Sequence, residues 1–117
     1  KIRRGEDPVI IQGDGLAVRD FAYCGDIAKG ILQVLSVIPM PSLVNLGGNA
    51  PHTIKEVVDV LMSFYPFRAI YTGGQVGYSQ RVLDIGKARK SANYNPQTTL
   101  EEGLRKTWRW YLESIID

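Results

Sequence analysis

One cysteine and one histidine are the only thiol and imidazole in 117 residues. Cys24 alone excludes an internal disulfide, and together with His52 it makes no recognisable metal-ligand spacing. Both observations fit a reducing, cytoplasmic setting, in which Cys24 is expected to pack as a small apolar residue at a strand end. Excess charge is lacking as well. With 14 basic against 12 acidic side chains the net charge is +2, too balanced for the basic stripe of a nucleic-acid binder. No stretch reaches the apolar length of a membrane span, and Lys1 to Glu6 lacks the apolar core of a secretory signal. Lys1 is not an initiator Met, and charged residues run directly into a strand. The chain is therefore expected to be a piece of a longer protein.

What is present is ordinary for a globular domain: 44% hydrophobic and 22% charged residues. The length fits one domain, residues 1–117, with a core of its own. Pro8 to Gln12 reads as a short β-branched strand closed by the turn Gly13-Asp14-Gly15, and Val18 to Tyr23 as a second extended run. Asp26 is placed to cap a helix carrying Ile27, Ile31, Val34, Leu35 and Ile38 at helical spacing, ended by Pro39 and Pro41. Ser42 to Leu46 reads as a buried strand stopped at Gly47-Gly48.

Thr53-Ile54-Lys55-Glu56 is a capping box opening a helix with Ile54, Val57, Val58, Leu61 and Phe64 on one stripe. Arg68 to Thr72 is a further strand, followed by a loop through Gly73, Gly74 and Gly77. Asp84 is expected to cap a short helix over Ile85, Ala88 and Ala92. Thr99 to Glu102 forms a second capping box for a last helix with Leu100, Leu104, Trp108, Tyr111, Leu112 and Ile115 on one face. The position of Trp108, Trp110 and Tyr111 on that amphipathic helix predicts core packing rather than a platform for stacking bases. Strands alternating with helices predict an α/β fold, a small sheet of short strands packed with three to four helices.

Arg19, set behind the glycine turn at the mouth of a strand, is the leading candidate for chemistry. A guanidinium is permanently charged and offers five donors in a planar fork suited to a phosphate. A diphosphate-bearing ligand is one reading. A structural ion pair with Asp20, or a solvated rim charge, is the other. Asp20 and Asp84 are expected to act structurally, Asn45 to form a turn, and His52 to lie in a surface loop. Arg81 fits a phosphate contact and an ordinary strand charge equally.

Several stretches taken together resemble the C-terminal part of NAD(P)-dependent nucleotide-sugar epimerases and dehydratases, the extended short-chain dehydrogenase/reductase family. They are Gly13-Asp14-Gly15 with Arg19-Asp20-Phe21-Ala22-Tyr23, Asp26-Ile27-Ala28, Asn45-Leu46-Gly47-Gly48, Arg81 to Ala88, and Tyr94 to Leu104. Their order and spacing over nearly the whole chain carry the resemblance. It implies the C-terminal lobe of that fold, with the Rossmann domain absent from this chain. In the family that domain binds NAD or NADP and carries a Tyr-x-x-x-Lys pair. None of the six tyrosines here has a Lys four residues later, and the 12 glycines form no dinucleotide fingerprint.

The resemblance therefore implies a substrate-binding domain without cofactor or catalytic residues of its own, inactive alone, whose parent enzyme acts on a nucleotide-diphosphate sugar. Carried over by position, Arg19 would hold the diphosphate and Val9, Ile10, Ile11 and Gln12 would flank the base. The loop from Gly74 to Arg81 would close over ribose and phosphates through Gln80 and Arg81. Gln80 stands where an Arg is frequent in the family. Gly74 and Gly77 stand where 4-epimerases of the UDP-galactose kind often have Arg and Asp. The implied partners are the missing Rossmann domain of the same chain and, for the parent, a second copy in a homodimer. Two alternatives stay open: a lapsed family member serving as a nucleotide sensor or interaction module, and a reductase of a non-nucleotide carbonyl compound.

Overall fold

The computed structural model describes residues 5, 7–48, 50–74 and 77–114. Ile115, expected on the last helix, and residues 75–76 of the glycine loop lie outside that set. The chain divides into two compact units, Lys1–Arg19 with His52–Arg81, and Asp20–Pro51 with Val82–Asp117. Short strands and four helices make up the described residues, an α/β composition as expected.

In the first unit, β1 (Val9–Ile11) pairs in parallel with β4 (Ala69–Tyr71), with Val9 opposite Ala69 and Ile11 opposite Tyr71. A second sheet has the order β3-β2-β5, from β3 (Pro51–Thr53), β2 (Val18–Asp20) and β5 (Gln80–Arg81). The boundary between the units passes within β2 and β3. His52, expected in a loop, is a half-buried strand residue with Nδ1 3.7 Å from Glu56 Oε2. Helix α2 (Ile54–Phe64) buries Val58 and half-buries Ile54, Val57, Leu61 and Phe64, the stripe the sequence shows.

Its capping box is complete. Thr53 Oγ1 accepts from the Glu56 amide at 3.1 Å, and the Thr53 amide donates to Glu56 Oε2 at 2.6 Å. The bonds from the Thr53 backbone and hydroxyl hold the Glu56 carboxyl below its ordinary value of 4.5. A depressed carboxyl stabilises the fold above the unfolded value and loses that contribution as pH falls through the folded one. Thr53→Ala is expected to cost about 0.5–2 kcal/mol at neutral pH, read from the denaturation midpoint. In the same variant the Glu56 titration, followed by NMR, should move upward only part of the way, because the substitution removes the hydroxyl and keeps the backbone amide that is the larger cause. A titration that did not move would mean that the hydroxyl has no part in holding it.

The second unit contains α1 (Cys24–Leu35), α3 (Gly86–Ala92) and α4 (Leu100–Ser114). Its core is Ile85, Ala88 and Tyr94, with Val44 and Leu46 packed against them. Tyr94 is only 1% exposed, and its hydroxyl donates to the Gly47 carbonyl at 2.8 Å. Burial raises the Tyr94 pKa, with Asp26 and Asp20 adding to the effect. Gly30 lets α1 approach this ring, because a Cβ there would lie 2.6 Å from Tyr94 Cδ2.

Several expectations are corrected here. Tyr23, not Asp26, occupies the N-cap of α1; Asp26 sits in the first turn and its carboxylate accepts from the Thr98 amide at 2.9 Å. A tertiary partner has taken the carboxylate that local spacing assigned to capping. The helix ends at Leu35, ahead of Pro39, leaving Ile38 outside it and 95% exposed. Ser42 to Leu46 forms no ladder among the described residues, although Val44 and Leu46 do face the core. Cys24 is exposed at the start of α1 rather than packed at a strand end.

The two later caps are partial. Asp84 Oδ1 accepts from the Gly86 amide at 2.7 Å, but the N-cap of α3 is Ile85. Thr99 Oγ1 accepts from the Glu102 amide at 3.3 Å, while the Glu102 carboxylate goes to Lys106. On α4, Trp108 and Tyr111 are half-buried with ring centroids 5.8 Å apart, and Trp110 is 63% exposed. The core role expected of Trp110 is therefore not met.

Candidate functional site

Within the first unit, β1 and the start of β2 border a cavity of about 440 Å³. Val9, Ile10, Ile11 and Gln12 form one side of it, and Arg19 is on its lining. This volume falls in the range of small-molecule sites, roughly 300–1,000 Å³. Gly13, Asp14, Gly15, Ala17 and Ile54 complete the wall.

The turn between the two strands is held from several directions. The Gly13 amide donates to Thr72 Oγ1 at 2.9 Å, and the Gly73 amide donates to the Gly13 carbonyl at 3.0 Å. Asp14 Oδ1 accepts from the Leu16 amide at 2.9 Å, a side-chain mimic of a backbone turn. The first amides of α2 close the far side: Lys55 donates to Gly15 and Ile54 to Ala17, at 2.9 and 3.1 Å. Gly15 is needed twice over. Its φ is +79°, and a Cβ would lie 2.5 Å from Tyr71 Cε1. Gly15→Ala is therefore expected to lower the melting temperature and loosen the cavity, with shifted or broadened NMR signals from Gln12 to Ala17; an unchanged spectrum would refute the close approach. Burial beneath the turn raises the Tyr71 pKa, Lys55 opposing it.

Arg19 is half-buried and spends one N–H on the Val18 carbonyl at 2.7 Å. No ion pair joins it to a carboxylate among the described residues. The structural alternative, a pair with Asp20, is not found. Asp20 instead accepts from the amides of Gly48 at 2.8 Å and Leu83 at 3.4 Å, the structural use expected of it.

Gln80 and Arg81 are exposed and do not line the cavity. They lie on β5, which runs parallel to β2 with Gln80 opposite Val18 and Arg81 opposite Arg19. Directly opposed residues share a face of a sheet, so two permanent cations are neighbours on this one. The Arg81 guanidinium carbon is 5.5 Å from the centre of the Tyr78 ring, a cation–π contact that part-compensates its charge. Reading the sequence missed Tyr78, whose only signal was its place three residues before Arg81. It also missed Ile54 as a wall residue, because that depends on the folding of α2 against the turn. Among the described residues no group of His, Cys, Asp and Glu is arranged to hold a metal ion, and no helix is long and apolar enough to cross a membrane.

Comparison with known proteins bears on this site. Residues 1–47 match the model of the NAD dependent epimerase/dehydratase family. The UDP-glucuronate 4-epimerase of Thermodesulfobacterium geofontis is 33% identical over 94% of this chain, which covers 35% of that protein. The structure of a UDP-glucose 4-epimerase with UDP-glucose from Thermotoga maritima superposes with a TM-score of 0.81 at 28% identity, over 95% of this chain and 36% of that one. A UDP-glucuronic acid 4-epimerase from Bacillus cereus, in complex with UDP-glucuronic acid and NAD, gives 0.80 at 26% identity, over 92% and 36%. The family read from the motifs is thus the one the comparisons return: NAD-dependent epimerases and dehydratases of nucleotide sugars. The chain spans about a third of the length of the relatives it matches.

Proposed function

We propose that this chain is the substrate-binding part of an NAD(P)-dependent nucleotide-sugar epimerase, dehydratase or reductase, and that it grips the nucleotide diphosphate. One observation carries the reading: a half-buried guanidinium without a carboxylate partner among the described residues lines a cavity whose other side is the apolar edge of β1. Apolar Val9 to Ile11 suit the faces of a base, the Gln12 amide suits its polar edge, and Arg19 suits the phosphates. Arg81, level with Arg19 on the neighbouring strand, adds a second positive charge that an entering diphosphate would neutralise. Gln80 sits beside it in the sequence, exposed on the same strand.

In this reading the chain performs no bond-making. Its contacts with the diphosphate, remote from the reacting carbon, orient the sugar for chemistry done elsewhere in the enzyme. NAD or NADP would be held by the Rossmann part that this chain does not contain, where it accepts or donates a hydride. The complete enzyme would be a cytoplasmic homodimer. The 117-residue chain alone is expected to neither bind NAD nor turn over substrate; heat of NAD binding in calorimetry would contradict that.

The reading is tested by titrating the complete protein calorimetrically with UDP-, GDP- and dTDP-sugars and with the bare nucleosides. A nucleotide sugar should bind, and its nucleoside should bind far more weakly. Equal affinity for the two would remove the diphosphate from the interaction and the reading with it.

A further inference from the structure

Arg19 is followed on β2 by Asp20, and successive side chains of a strand point to opposite faces. The guanidinium therefore lies on one face and the carboxylate on the other. Both carboxylate oxygens are engaged. Oδ1 accepts from the Gly48 amide at 2.8 Å and Oδ2 from the Leu83 amide at 3.4 Å. Glycine is required at this contact: a Cβ on Gly47 would collide with Asp20 Oδ2, and one on Gly48 would lie 2.5 Å from Oδ1. Gly47 is held in turn, its carbonyl accepting from the buried Tyr94 hydroxyl at 2.8 Å. Asp20 is thus fastened to the core of the second unit.

What this carboxylate ties together is the end of a very short ladder. β5 is two residues long and meets β2 through Val18 opposite Gln80 and Arg19 opposite Arg81. The last pair consists of two permanent cations, and like charges directly opposed on a sheet push apart. A ladder of this length has few backbone bonds to set against that repulsion. Asp20 lies one residue beyond Arg19, and Leu83 two beyond Arg81. Their bond closes the ladder just past the charged pair, where the strands would otherwise splay.

We propose that Asp20 is a positioning residue for the diphosphate: by tying Gly48 and Leu83 to the end of β2, it holds Arg19 level with Arg81, so that two guanidinia meet the phosphates as one site. Asp20 touches no substrate atom and acts only through the two arginines. Cations fixed at that spacing beforehand need not be ordered when the ligand arrives, and its entry relieves their repulsion. A carboxylate suits the task because it only accepts, and both of its partners are donors. An Asn in its place would set its NH2 group against one of the two amides. The inference rests on the reading of Arg19 as a diphosphate ligand.

Asp20→Asn in the complete protein tests it. KM and the calorimetric dissociation constant for the nucleotide sugar should rise roughly 10- to 100-fold, the cost of a slightly misplaced binding group, with kcat changed much less. Binding of the bare nucleoside, which has no phosphates to misalign, should be unchanged. Gly47→Ala, which keeps the charges of Arg19 and Asp20 and displaces only the carboxylate, should reproduce the pattern. Where Arg19 is already Ala, adding Asp20→Asn should cost little more, because residues that act as a unit are not additive. A second loss of full size in that double variant would overturn the inference. So would nucleoside binding lost in step with nucleotide-sugar binding, the sign of a domain that has merely loosened. Unchanged binding in Asp20→Asn, with Arg19→Ala still damaging, would overturn it and leave the substrate reading standing. Normal binding in Arg19→Ala would sink the substrate reading itself, and the inference with it.

Discussion

Replacing Arg19 with Ala in the complete enzyme is expected to raise KM for the nucleotide sugar from about 30-fold to a few thousand-fold, corresponding to roughly 2–5 kcal/mol for a charge contact removed from water. The lower end of that range suits a side chain that is half-buried rather than enclosed. The effect should fall on KM and the calorimetric dissociation constant, with kcat changed much less, because the phosphates are bound alike in ground and transition state. The fold should survive, since among the described residues the guanidinium bonds only the carbonyl of Val18. Arg19→Lys keeps the charge but loses the planar fork, so it should fall between wild type and Ala. Unchanged kinetics in Arg19→Ala would take this residue out of the site.

The largest loss of stability is expected from Tyr94→Ala. The ring is the most enclosed large side chain described, packed between α1 and α3, and the cavity left behind should cost roughly 3–5 kcal/mol. The variant also strips the Gly47 carbonyl of its donor. Tyr94→Phe separates the two contributions, because it keeps the packing and loses only the hydrogen bond, at about 0.5–1.5 kcal/mol. Chemical denaturation of both variants checks the ordering; a Phe variant as damaged as the Ala one would place the stabilising role in the hydroxyl and not in the ring.

The helices were legible in the sequence because their signals are local. The stripe of α2 and the Thr53 to Glu56 box lie within one turn of each other, and both are found in place. Strands were less legible, because a ladder depends on a partner elsewhere. Pro51-His52-Thr53 has no strand pattern of its own and becomes β3 by lying beside β2. Gln80-Arg81 looked like the end of a glycine loop and becomes β5 only through its register with Val18 and Arg19. Ser42 to Leu46 has the pattern and finds no ladder partner among the described residues. Asp26 shows the converse error, a residue with the right local chemistry for a cap claimed by the distant Thr98 amide. At the candidate site, the grouping of Val9 to Gln12 with Arg19 came from the family resemblance, carried over by position, and the structure sets these residues around one cavity. That Arg19 and Arg81 stand level, and that Tyr78 sits under Arg81, needed the register.

Helix α4 contains no fully buried residue, and two of its side-chain bridges are the exposed pairs Glu101–Arg105 and Glu102–Lys106, one turn apart along the helix. Such exposed pairs contribute little, and dissolved salt weakens them as the Debye length shrinks to about 3 Å near 1 M. The C-terminal end of this polypeptide should therefore respond to the buffer in a way that the Tyr94 core does not. Anyone measuring its helicity will be measuring ionic strength as well.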